Sequence, residues 1–120
     1  MTALRLGLFF AGTAVALGAF GAHGLKTVVS ADLLQTFKTG VTYQMWHAIG
    51  LCLYGLYSKQ KATTRFCPLF WFSIGIGLFS GSLYLLVLTE RPFFGIITPI
   101  GGVCLMIGWA RFFHITNDSD

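Results

Sequence analysis

Charge is so sparse along this 120-residue chain that its eight Lys and Arg and four Asp and Glu cut it into four uncharged windows of nearly one length. Leu6–Leu25 and Thr39–Ser58 hold 20 residues each, Phe66–Thr89 holds 24 and Pro92–Ala110 holds 19. A bilayer core about 30 Å thick is crossed by roughly 20 apolar residues of helix, at about 1.5 Å per residue. Each window fits that length once. The pattern predicts an all-α, integral membrane bundle of four transmembrane helices, with spans at about residues 5–23, 41–58, 67–88 and 93–113. These spans and their connections occupy residues 1–120 as one domain, with no stretch left for a soluble one.

Composition agrees. The chain is 55% hydrophobic and 10% charged, where soluble domains carry about 25% charged residues. The net charge of +4 is scattered at span ends, which reads as membrane flanking and excludes a nucleic-acid patch. Cys52, Cys67 and Cys104 are odd in number and two lie deep inside spans, so a disulfide framework is not expected. Arg5 followed by Leu6–Leu17 imitates a signal peptide, but the uncharged run continues to spanning length and three more spans follow, so it is read as uncleaved. Arg5, Lys59, Lys61, Arg65 and Arg111 fall on one side and Lys26, Lys38 and Arg91 on the other. That bias puts both termini in the cytoplasm.

Within the spans, small residues mark expected helix contacts, because lipid offers helices no hydrophobic drive to associate and close backbone approach must supply it. Ala14, Gly18 and Ala22 recur every four residues in the first span, and Ser73, Gly77 and Gly81 in the third. Between the first two spans, Ser30 reads as an N-cap with Asp32 in the first turn. Leu33, Leu34, Phe37 and Val41 then form an amphipathic stripe that either lies at the interface or runs directly into the second span, with Gly40 as a bend. Tyr43 and Trp46 fit an interfacial aromatic belt. Pro99 removes a backbone hydrogen bond to the Gly95 carbonyl, which predicts a kink. The tail Thr116–Asp120 is expected to fray.

Polar groups are expensive inside a membrane and are therefore the best functional pointers. They are His23, Gln44, His47, Ser80, Ser82 and Thr98. Counting helix rise from the cytoplasmic charges puts His23 at about 27 Å, Gln44 and Ser80 at about 22 Å, Thr98 at about 20 Å and His47 at about 18 Å. All fall in the non-cytoplasmic half, so the six form a candidate binding cluster for a proton relay, a metal or a polar solute. The bland alternative is interhelical glue, worth about 0.6 kcal/mol per contact. Neither H-x-x-x-H, C-x-x-C, a nucleophile elbow nor a phosphate loop is present. A haem between His23 and His47 would have to bridge an offset of about 9 Å. The expectation is therefore no catalytic residue, no metal and no cofactor.

Four segments carry a resemblance: Gly18-Ala19-Phe20-Gly21-Ala22-His23-Gly24, Tyr43-Gln44-Met45-Trp46-His47-Ala48, Phe79-Ser80-Gly81-Ser82-Leu83-Tyr84 and Thr98-Pro99-Ile100-Gly101-Gly102. With the length and four spans, the chain resembles the membrane-protein family called domain of unknown function 423, which includes YgdD-like bacterial inner-membrane proteins and the eukaryotic transmembrane protein 256. Trp46 stands where the family pattern leads one to expect Tyr in many members. The resemblance implies a four-helix protein of the cytoplasmic membrane and no known reaction or cofactor. Three classes of function follow: a non-enzymatic accessory or packing protein, a carrier or channel for a small solute, ion or lipid, and, least favoured, a membrane-embedded enzyme or redox protein. The expected partners are membrane lipid and either further copies of the chain or a larger membrane complex, with no nucleic acid.

Overall fold

The structure is a computed structural model that describes residues 2–61 and 67–118. Arg65 and the last two residues of the tail lie outside the described residues. The described residues form four helices: α1 (Thr2–Leu25), α2 (Ala31–Gln60), α3 (Cys67–Thr89) and α4 (Phe94–Asp118). Of these, α1, α3 and α4 are long and apolar enough to cross a membrane. The longest helix, α2, has 30 residues but carries Asp32 and Lys38 near its start and Gln44 and His47 further in.

Local chemistry sets the helix ends. The Ser30 hydroxyl accepts the Leu33 N–H at 3.2 Å, and Asp32 sits in the first turn of α2. Together they satisfy an unpaired donor and the positive end of the helix dipole. Helix α3 stops where Glu90 turns to φ 55°, the left-handed cap, while its N–H still reaches the Leu86 carbonyl at 2.7 Å. Pro92, two residues on, cannot extend the helix.

The amphipathic segment at 31–40 is not a separate interfacial element. It is the first third of α2, and the helix runs through Gly40 without interruption. Phe37 is buried with Ala22 and Val87, so this turn packs on the ends of α1 and α3. Gly40 instead makes room: a Cβ there would lie 2.8 Å from the Tyr84 ring. The tail expected to fray from Thr116 is helical as far as the described residues go. The last helix continues to Asp118 because buried Ile115 docks against Ala3 and Tyr54. Tyr43 turns inward, its ring 4.4 Å from Phe79, while Trp46 stays exposed. Helix α4 runs uninterrupted through Pro99.

Consecutive helices pack antiparallel. Between α1 and α2, Leu4 meets Gly55, Gly7 meets Ala48 and Cys52, Gly18 meets Val41, and Gly21 meets Phe37. Between α3 and α4 the steps are Leu86 with Gly95, Ser82 with Thr98, Phe79 with Gly101, Gly75 with Leu105, and Phe72 with Gly108. Most steps seat a large residue of one helix at a glycine of the other, and they recur every three or four residues along α3 and α4 as in coiled-coil packing. At Gly101 the backbones themselves meet: a Cβ would fall 2.7 Å from the Leu78 carbonyl carbon and 2.8 Å from Phe79 Cα.

Within the bundle, the expected third-span contact face is not the one used. Nothing lies within 4 Å of a Cβ placed at Gly77 or Gly81 among the described residues. Two small-residue stripes run along α3, and only the one containing Gly75 and Ser82 meets a helix with complementary gaps.

The first-span ladder is held on one face by a π turn over Leu17–Gly21, where the Ala22 N–H bonds to the Leu17 carbonyl. Eight α-helical residues from Ala14 to Ala22 turn about 80° past two full turns. The extra residue of a π turn absorbs that drift. Ala14 and Ala22 are both buried, while Phe20 and His23 face outward.

The bundle is narrow, at 50 × 26 × 17 Å. Its exterior is apolar: Phe9, Phe20, Phe93, Ile96, Met106 and Phe113 are each more than 60% exposed. Such a surface is matched by lipid rather than water.

Candidate functional site: a polar layer across the bundle

Five of the six polar residues singled out above lie inside the bundle, and three helices supply them. Gln44 is the centre. Its Nε2 donates to the Phe10 carbonyl at 2.9 Å and the Thr13 hydroxyl at 2.8 Å. Its Oε1 accepts the Tyr84 hydroxyl at 2.7 Å. One amide thus ties α1, α2 and α3 together, with both its donors and its acceptor used. Ser80, fully buried, donates to the Gly40 carbonyl at 2.6 Å and pins α3 to α2. Ser82 and Thr98 share a hydrogen bond of 2.6 Å between α3 and α4.

His47 is buried one turn along α2. Its Nδ1 lies 2.7 Å from the Tyr43 carbonyl, and its ring packs among Tyr43, Phe72 and Trp109. His23 is not part of the layer. It is exposed just beyond the π turn, and its side chain makes no hydrogen bond with any described residue. The π turn is the reason, because it rotates Ala22 inward and His23 out. Cys67 is exposed and Cys104 buried, and all three cysteines are free thiols. Among the described residues no three His, Cys, Asp or Glu side chains group as metal ligands.

Sequence reasoning missed Thr13 and Tyr84. Tyr84 stands in one of the segments that carry the family resemblance, and it is four residues from Ser80 and thus on the same helix face. Nothing about Thr13 sets it apart, since a lone threonine commonly bonds back to its own helix. Here it does both, donating toward the Phe9 and Phe10 carbonyls and receiving Gln44.

An apolar exterior, three helices of spanning length and a hydrogen-bonded layer sealed within define a small polytopic helical membrane protein. Residues 17–102 match the family described as Protein of unknown function (DUF423). The chain belongs to that family. It is 44% identical over 104 residues to a UPF0382 membrane protein of Staphylococcus saprophyticus, covering 87% of both chains. It is 45% identical over 106 residues to the UPF0382 membrane protein YwdK of Bacillus subtilis, covering 87% of this chain and 86% of that one. It is 37% identical over 100 residues to the UPF0382 inner membrane protein YgdD of Escherichia coli, covering 80% and 74%. No solved structure matches.

Proposed function

We propose that the chain is a four-span, non-enzymatic accessory protein of the cytoplasmic membrane, with both termini cytoplasmic, whose polar layer holds its own bundle together. The observation that carries this reading is the saturation of Gln44: amide and carbonyl are both consumed by Thr13, Phe10 and Tyr84. Ser80, Ser82 and Thr98 are likewise spent on neighbouring helices. A transport path would need a succession of polar groups left for a solute, and an enzyme several groups converging on one, whereas His47 Nε2 is the single acceptor of the layer that no described residue bonds. Helix α2 counts as the fourth span because Thr39–Ser58 is uncharged and the Gln44 and His47 groups it carries are buried against other helices. Support for an accessory role comes from glycines that meet nothing, Gly12, Gly77 and Gly81, which leave close-approach surface for another helix.

Cross-linking in native membranes, followed by identification of the cross-linked species, tests the role. A defined higher-mass complex is expected; recovery of the monomer alone would overturn it. Orientation is tested with a variant keeping only Cys67, which is exposed at the start of α3. A membrane-impermeant maleimide should label it only after the cells are opened.

A further inference from the structure

His47 holds the one polar group of the buried layer that the bundle leaves unused. The residue is only 6% exposed. A carbonyl can only accept, so the contact of 2.7 Å to Tyr43 puts the proton on Nδ1, and Nε2 of the neutral ring holds a lone pair. No described residue donates to that lone pair, yet Nε2 is not sealed in by protein atoms. His47 lines a groove of about 350 Å³ whose walls are α2 and α4 and whose floor is Phe79. The Tyr43 ring lies nearly parallel to His47, at 10° and 6.0 Å, and Trp109 closes the other side 5.8 Å from the imidazole. Pro99 and Gly102 present a flat wall with no long side chain to fill the space. The outer rim, Val103 and Met106, is apolar and exposed.

The possible occupants differ in chemistry. A lipid acyl chain fills the volume but brings no proton for Nε2. A polypeptide helix spends its backbone N–H groups on its own hydrogen bonds and offers Nε2 no main-chain donor. A flat aromatic ring suits walls of four aromatic side chains, which favour stacked or edge-on neighbours. A hydroxyl on that ring supplies the missing donor.

We propose that this groove binds a lipid-soluble phenol, with its ring lying against Tyr43, Phe79 and Trp109, its hydroxyl donated to His47 Nε2, and its apolar tail leaving over Val103 and Met106 into the bilayer. The volume lies at the small end of the range for ligand pockets, which fits one ring with a tail outside. The site goes beyond the accessory role proposed above and does not depend on it, since none of the groups that saturate Gln44 line it.

The test uses the full chain in lipid nanodiscs with Trp46→Phe and Trp71→Phe, so that emission reports Trp109 alone. The probes are 4-nonylphenol and 4-nonylanisole, the methyl ether of the same molecule, which cannot donate. The expected result is a saturable change in Trp109 emission with the phenol and an apparent affinity at least tenfold weaker for the ether. His47→Phe should weaken phenol binding at least tenfold and abolish the preference over the ether. Gly102→Leu should block both probes; a Cβ at Gly102 makes only ordinary contact, 3.7 Å from Phe79, and an unchanged circular-dichroism melt is the control that this variant folds. Equal affinity for phenol and ether would overturn the proposal by showing a plain hydrocarbon groove. An unsaturable response, or one that survives Gly102→Leu, would overturn it as well.

Discussion

Gly101→Ala tests the packing argument most sharply. The new methyl carbon would stand 2.7 Å from the Leu78 carbonyl carbon and 2.8 Å from Phe79 Cα. Carbon atoms rest about 3.5–4.0 Å apart, so α3 and α4 must separate by about 1 Å. Neither obstructing atom can swing away, because both are backbone in the middle of a helix. A gap of that size forfeits roughly a quarter to a half of each dispersion well, and about 40 pairs at 0.1–0.2 kcal/mol each amount to a loss of about 2 kcal/mol. The Ser82–Thr98 hydrogen bond, 2.6 Å now, would stretch out of range and add a further fraction of a kcal/mol. Replacing Gly by Ala returns up to about 1 kcal/mol in helix propensity. The net expectation is a destabilisation of about 1–2 kcal/mol, read as a shift in reversible unfolding in mixed micelles by circular dichroism. Gly77→Ala is the matched control. It gains the same propensity and meets nothing within 4 Å, so its stability should equal or exceed that of the parent. Gly101→Ala at parental stability, or Gly77→Ala as damaging as Gly101→Ala, would refute the assignment of the α3–α4 contact.

Three further outcomes follow from the structure. In a double-mutant cycle, Gln44→Leu and Tyr84→Phe should couple by about 0.6–1.7 kcal/mol, from the average to the largest value for hydrogen bonds between membrane helices, and additive effects would mean the 2.7 Å contact contributes nothing. Deleting exposed Ala19 should convert the π turn to regular helix while leaving Ala14 and Ala22 seven residues apart and on one face. Its unfolding midpoint should stay near that of the parent, whereas deleting exposed Phe9 rotates Ala3 and Gly7 off α2 by about 100° and should abolish cooperative unfolding. Glu90→Gly should stabilise the protein by about 0.5–1 kcal/mol, because Glu90 holds φ 55° where only glycine avoids a steric penalty; a loss of stability would count against that cap.

How much was legible in the chain differs from residue to residue. The Ser30 cap was readable because it depends on residues three apart and on nothing distant. The involvement of Gln44 was readable from the cost of an amide in hydrocarbon, but its partners were not, since Phe10 and Thr13 lie more than 30 residues away. His23 was misplaced beside Gln44 because a uniform rise gives depth and says nothing about rotation. The ladder of Ala14, Gly18 and Ala22 did hold a readable clue. Its two steps of four overrun the helical repeat, and only a wider turn keeps it facing one way.

Amino-acid order alone determined the solvent and the scale: windows of 19 to 24 uncharged residues set helices of membrane length. Tertiary structure decided which faces meet. Helix α3 carries two stripes of small residues that look alike in one dimension. The stripe with Gly75 and Ser82 is chosen because α4 offers gaps at Gly95, Gly101 and Gly108 in register with Leu86, Phe79 and Phe72. Close contact is a property of two surfaces together, and a single chain read end to end contains each surface without saying which one it touches.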